Sequence, residues 1–224
     1  MGYKIVILGS TGGGVLSRVG AQPFMREATL EVVTDRPCGM LQVADRLGLA
    51  AVTLPADTGR AFSDALAQRY AGRDDIVFLS FYTRLLSGAL LDQHRGRLFN
   101  CHPSILPSFK GMHGFEDTLA SSSQFMGCSL HQIDAGMDSG PIVIQAALPI
   151  DRRLPVADNR HKVFLAQVYT AVQFCRWAHD GRLQVMADGE CRIEGLRYAP
   201  SAVAPNLDPD FFAFTGLTNE LGLN

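Results

Sequence analysis

YKIVIL (residues 3–8) runs directly into GSTGGG (9–14) and then VLSRV (15–19). The first six residues form a continuous apolar stretch rich in β-branched side chains, the composition of a strand buried on both faces. Glycines stop it, and the residues after them begin a helix. Strand, glycine turn and helix in that order open a parallel α/β sheet. Working outward, residues 30–34 and 76–81 read as further strands, and 98–101 as a strand that ends at His102-Pro103. Helices are expected between them at 40–47, 60–70 and 85–94; in the second of these Ala61, Phe62, Leu66 and Tyr70 share one face. This alternation predicts an α/β protein with a Rossmann-like, doubly wound, mostly parallel sheet. Such sheets bind their ligands beyond the carboxyl ends of the strands.

The second half is less regular. A helix is expected at 114–121 and strands at 127–133 and 142–148. A long helix follows at 157–179, with Val163, Ala166, Thr170, Phe174 and Trp177 at helical spacing and Asp158 or Asn159 as its cap. Residues 183–186 and 191–198 read as a small C-terminal hairpin. The expected organisation is one domain over 1–199 and a tail, 200–224, that is loosely packed or partly disordered because of its prolines and Asn/Asp clusters.

Composition narrows the function. Of 224 residues 47% are apolar and 19% charged, enough to bury a core. Twenty Lys and Arg against 22 Asp and Glu leave a net charge of −2, without the basic excess a nucleic-acid partner requires. Five scattered cysteines with no C-x-x-C pair argue against a disulfide framework or a zinc site and for a reduced, cytoplasmic setting. The N-terminal stretch lacks the charged head, longer apolar run and cleavage site expected of a signal peptide, and no uncharged apolar run approaches membrane-spanning length, so a cytoplasmic protein is expected. The 22 glycines exceed the usual share of about 7%, which points to tight turns or to backbone held close to a ligand.

Three segments carry chemistry. The loop 9–14 lies where phosphates commonly meet backbone N–H groups, yet it lacks the GK[ST] ending of a P-loop and fails G-x-G-x-x-G at Ser17. Asp35, about 20 residues on at the end of the second strand, stands where a dinucleotide fold keeps its ribose-binding acid, so a dinucleotide-binding protein is one alternative. The second segment is FNCHPSILPSFKG (99–111). A strand period of two puts Asn100 and His102 on one side, an amide donor beside an imidazole at the end of a buried strand. That pair can stabilise a carbonyl oxygen as it becomes negative and can move a proton. The third is DAGMDSGP (134–141), a glycine-rich loop able to bring a carboxylate to the imidazole; its spacing is not that of an EF-hand.

Together NCHPSILPSFKG, GCSLH (127–131) and DSGPIVIQ (138–145) resemble the signature of the folate-dependent formyltransferases, in spacing as well as in letters. The resemblance runs from the first strand to the terminal hairpin and is strongest to the glycinamide ribonucleotide transformylases. It implies the formyltransferase fold and transfer of a formyl group from 10-formyltetrahydrofolate to a small-molecule amine, with no metal. It also implies a catalytic set of Asn100, His102 and Asp138. A folate pocket is implied at Thr83, Arg84, Leu85 and Leu86 and at Asp134, Ala135, Gly136 and Met137, with a cis peptide at Leu106-Pro107. The acceptor is expected at Gly12, Gly13, Gly14, Pro103 and Gln167. There the chain departs from the family, which has a G-x-G-S-N loop and an acidic residue where Gln167 stands; a neighbouring polar position is Phe164. The acceptors to weigh are therefore glycinamide ribonucleotide and another amine such as an amino sugar or hydroxyornithine. Formyltetrahydrofolate hydrolysis is a further reaction open to the same core. The length fits a transferase core without an appended RNA-binding or regulatory domain, acting as a monomer or homodimer.

Overall fold

The computed structural model describes residues 2–223. An eight-stranded sheet carries the site, in the order β10-β7-β6-β5-β4-β1-β2-β3. Its parallel half consists of β1 (Lys4–Gly9), β2 (Thr29–Thr34), β3 (Ala51–Thr53), β4 (Ile76–Phe81) and β5 (Leu98–His102). The other half, β6 (Phe125–Gln132), β7 (Ile142–Pro149) and β10 (Val203–Ala204), is antiparallel. The strand β1 is central, and Ile5 to Leu8 are wholly buried, as its unbroken apolar run requires.

Helices cover both faces. On one side α1 (Gly14–Val19), α2 (Met25–Ala28), α3 (Gly39–Leu47) and the 24-residue α7 (Val156–His179) close over a core that includes Ile5, Ile7, Phe99, Phe174 and Trp177. On the other, α4 (Gly59–Arg69) and α5 (Ala89–Gln93) bury Val6, Leu8, Phe62, Leu66 and Phe78. The helix α6 (Gly114–Ala120) packs beside β6, and β8 (Leu183–Val185) with β9 (Cys191–Ile193) forms the expected small hairpin.

Three expectations need correction. The helix expected at 85–94 is confined to Ala89–Gln93, because residues 82–86 instead line a cavity at the carboxyl edge of the sheet. Neither Asp158 nor Asn159 caps α7. Pro155 precedes its first turn, and the Asn159 side chain donates instead to the Asp151 carbonyl at 3.0 Å. The tail is not loose over its described residues: β10 pairs with β7, and α8 (Phe211–Thr215) buries Phe211 against Tyr169. Long-range polar contacts hold it down. Gln173 and Asp208 exchange two hydrogen bonds at 3.0 and 2.8 Å, and Arg182 pairs with Asp208 at 2.7 Å. Asn224, the last residue of that expected tail, lies outside the described residues. No helix among the described residues is long and apolar enough to cross a membrane.

Candidate active site

The parallel strands end at a cavity of about 380 Å³, walled by the loops that follow β1, β4 and β5 and by the segment before β7. Asn100 and His102 line it, as their period of two on β5 anticipated. The antiparallel register sets His131 of β6 directly opposite Asn100, and therefore on the same face. The side-chain amide of Asn100 is half-buried and engages no protein group among the described residues, so it is free for a ligand.

His102 is gripped at both nitrogens. Its Nε2 lies 2.9 Å from the Phe109 carbonyl oxygen, and its Nδ1 lies 3.4 Å from Asp138 Oδ2. Both partners are acceptors, so a neutral ring can donate to one and an imidazolium to both. Phe109 (φ 56°) and Asp138 (φ 47°) are also the only two non-glycine residues with left-handed backbone among the described residues. That conformation costs on the order of 1–2 kcal/mol per residue. The fold spends it on the two residues that fix one imidazole, a concentration of strain typical of functional sites. Gly114, at the start of α6, completes the enclosure: a Cβ there would come within 2.6 Å of His102 Nε2, so only glycine lets the helix approach so closely.

Asp138 is held ionised. The imidazole of His131, with Nε2 at 3.6 Å from Oδ1, acts first, followed by the Gly111 N–H at 2.7 Å and the electrostatic influence of the nearby His102 ring. Against the upward push of burial, these bring the carboxyl down to about 2. At 3.6 Å the contact with His131 is longer than a direct hydrogen bond. His131 fixes its other edge with Nδ1 at 2.7 Å from the Gln132 carbonyl.

The remaining motif letters build this constellation from behind. Ser129 Oγ donates to the Ser104 carbonyl at 2.8 Å and accepts from the Leu106 N–H at 2.9 Å. Gln145 Nε2 donates to Ser129 Oγ at 2.7 Å and to the Leu106 carbonyl at 2.9 Å. The loop after His102, with its cis Leu106-Pro107 peptide, is thus clasped to β6 and β7.

Of the residues expected to hold folate, Thr83, Arg84, Leu85, Leu86, Gly136 and Met137 line the cavity. The backbone N–H groups of residues 83–86 donate to no protein acceptor among the described residues, which leaves a short edge of donors for a ligand. Asp134 and Ala135 do not line the cavity. Asp134 instead shapes the loop by accepting from the Gly136 N–H at 2.9 Å and from Ser139 Oγ at 2.7 Å. On the acceptor side Pro103 and Gln167 line the cavity, whereas Gly12, Gly13 and Gly14 do not; their neighbours Thr11 and Val15 do. Gln167 Nε2 donates to the Cys101 carbonyl at 3.1 Å. From Pro103, Met112 and Gln167 a second, more open groove of about 790 Å³ continues between α6 and the first turns of α7, past Phe115, Val156 and Phe164.

The dinucleotide reading does not survive. Asp35 is fully buried, and its Oδ2 already accepts from Arg84 Nη1 at 2.9 Å and from the Tyr82 hydroxyl at 3.1 Å, so it cannot meet a ribose. Sequence reasoning missed two participants, His131 and the Asp35–Arg84 pair. His131 is the last letter of GCSLH, but only strand register shows that it reaches the site, and loop packing alone forms the second. Among the described residues no group of three or more His, Cys, Asp or Glu side chains is placed to hold a metal ion.

An uncommitted amide, a doubly held imidazole and an ionised carboxylate at the mouth of a cavity that an adjoining groove extends define an enzyme of the group-transfer class. The formyl transferase family pattern matches residues 42–167, and the chain belongs to that family. It is 30% identical over 177 residues to phosphoribosylglycinamide formyltransferase of Escherichia coli, covering 73% of this chain and 79% of that protein. The trifunctional purine biosynthetic protein adenosine-3 of Drosophila melanogaster is 30% identical over 198 residues; the match takes in 84% of this chain but only 14% of that protein. Among solved structures, glycinamide ribonucleotide transformylase 1 from Symbiobacterium toebii superimposes with a TM-score of 0.74 at 29% identity, over 85% of this chain and 93% of that one.

Proposed function

We propose that the protein transfers the formyl group of 10-formyltetrahydrofolate to a primary amine, with glycinamide ribonucleotide as the acceptor that its relatives' names indicate. One observation carries the reading: Asn100 and His102 leave one strand end side by side, and Asp138 meets His102 from the facing loop at 3.4 Å.

In the proposed reaction the amine nitrogen bonds to the formyl carbon, whose oxygen becomes negative. The free amide of Asn100 donates to that oxygen. The Nε2 of His102 is held by Phe109, so Nδ1, beside Asp138, exchanges the proton, taking it from the amine and returning it to N10 of the folate as the C–N10 bond breaks. The Asp138 carboxylate, held down at about 2 by its neighbours, stabilises the imidazolium formed in between. Folate binds along the donor edge at 83–86 and against Gly136 and Met137, and the amine enters past Thr11, Pro103 and Gln167.

A second reading, formylation of another small amine, is favoured by the acceptor side. Gly12 to Gly14 supply no side chain, Gln167 is committed to a backbone carbonyl, and Phe164 borders the adjoining groove. Tetrahydrofolate release measured with glycinamide ribonucleotide, with an amino sugar, with hydroxyornithine and without any amine separates the readings. Turnover confined to glycinamide ribonucleotide supports the first and sinks the second. Equal turnover without amine marks a hydrolase and overturns both.

A further inference from the structure

Asp35 lies one residue beyond β2, at the carboxyl edge of the sheet, with no exposed side-chain surface. Its Oδ2 takes two hydrogen bonds, from Arg84 Nη1 and the Tyr82 hydroxyl. Its Oδ1 takes none and meets only Arg36 Nε at 3.6 Å. A buried carboxylate with one oxygen left short of donors is an unfavourable way to fill space; an apolar residue would pack there without the desolvation penalty. What it does secure is geometry. Arg84 Nη1 also donates to the Ala56 carbonyl at 3.2 Å, so its guanidinium is tied both to Asp35 and to the segment after β3.

The segment thus held has no regular structure to keep its shape. Residues 82–88 lie between β4 and α5, and side-chain anchors replace the constraint that a ladder supplies elsewhere. On one side Tyr82 and Arg84 reach Asp35, and Thr83 Oγ1 meets Ser10 Oγ at 3.1 Å. On the other, the Ser87 N–H donates to Ser63 Oγ at 3.0 Å, and Gly59 packs against the Leu85 carbonyl with no space for a Cβ. Between these clamps run the unpaired N–H groups of residues 83–86.

We infer that Asp35 is a positioning residue: through Arg84 and Tyr82 it holds segment 82–86 in the form whose backbone edge receives the heterocycle of the folate. This role rests on the reading of that segment as the folate wall. A donor edge recognises a planar heterocycle only if its N–H groups keep their spacing and direction. Asp35 supplies that constraint without touching the ligand.

The test is binding of 10-formyl-5,8-dideazafolate, a stable analogue of the donor, followed by calorimetry on the full chain. Asp35→Asn and Arg84→Met should each weaken binding about tenfold, and the double variant no more than the weaker single, since both break one connection. Tyr82→Phe removes one hydroxyl without touching the ion pair and should cost about threefold, which keeps the test alive should Asp35→Asn fold poorly. In turnover, Asp35→Asn should raise KM for the folate and leave both kcat at saturation and KM for the amine within about twofold of wild type, a split that general destabilisation would not produce. Variants that fold and bind the analogue as tightly as wild type overturn the inference. A wild-type chain that does not bind the analogue overturns the folate reading beneath it.

Discussion

Replacing Asp138 by Asn isolates the charge at the centre of the site. The amide keeps the carboxylate's shape and leaves an oxygen for the Gly111 N–H, and Asn tolerates the left-handed backbone at φ 47°. What disappears is a negative charge between two imidazoles. The carboxyl sits at about 2, where an unperturbed one sits at 3.8, and its side chain is only 14% exposed, so solvent screens the interaction little. At about 1.4 kcal/mol per tenfold change in proton affinity, the ionised group contributes about 2 kcal/mol to the fold. Its folded value lies below its unfolded value, so this stability is present above the unfolded value and is lost as pH falls through the folded one. It should be nearly complete at pH 5, about half gone by pH 3 and absent well below pH 2. Urea unfolding of both proteins should therefore show Asp138→Asn weaker by about 2 kcal/mol at pH 5 and by about 1 kcal/mol at pH 3. Turnover of the variant should fall about a hundredfold or more. Equal stability at pH 5, or a gap that does not narrow at pH 3, refutes the reasoning.

Other predictions follow from the same geometry. Asn100→Ala removes a donor that no protein group uses; kcat should fall about a hundredfold to a thousandfold with the thermal midpoint unchanged, and a large loss of stability would show that the amide has a structural partner instead. Gly12 and Gly13 should respond differently to a side chain. A Cβ at Gly12 meets nothing within 4 Å, so Gly12→Ser should fold like wild type. At Gly13, by contrast, φ is +77° and a Cβ would come within 3.1 Å of the Met40 Cα, so Gly13→Ala should cost about 1–2 kcal/mol in urea titration. Phe211→Ala tests the packed tail: this ring is 1% exposed and edge-on to Tyr169 and Phe212, so its loss should cost about 3–5 kcal/mol. A cost under about 1 kcal/mol would mean that the tail contributes little.

Much of the fold is legible in the chain because burial on both faces writes itself as unbroken apolar runs. This is why β1, β4 and the strand of Asn100 and His102 fall where composition places them. The three-residue β3 is too short to announce itself, and β10 owes its existence to a partner strand rather than to its own letters. The tail looked loose because Pro and Asp are read locally as breakers, whereas Asp208 is ordered by Gln173 and Arg182 from α7 and the turn beyond it. The same division runs through the site. Asn100 and His102 share a strand, so the strand period of two is enough to pair them. His131 joins them only through an antiparallel register that nothing in GCSLH specifies. Asp35 is the sharpest case. Its place at the end of a parallel strand puts it at the carboxyl edge of the sheet, and that much follows from spacing alone. Which group reaches it does not follow, because Arg84 and Tyr82 arrive from a loop 47 to 49 residues later. An acid that reads as a ligand contact is therefore consumed by the protein, and its influence on any ligand has to pass through the loop it holds.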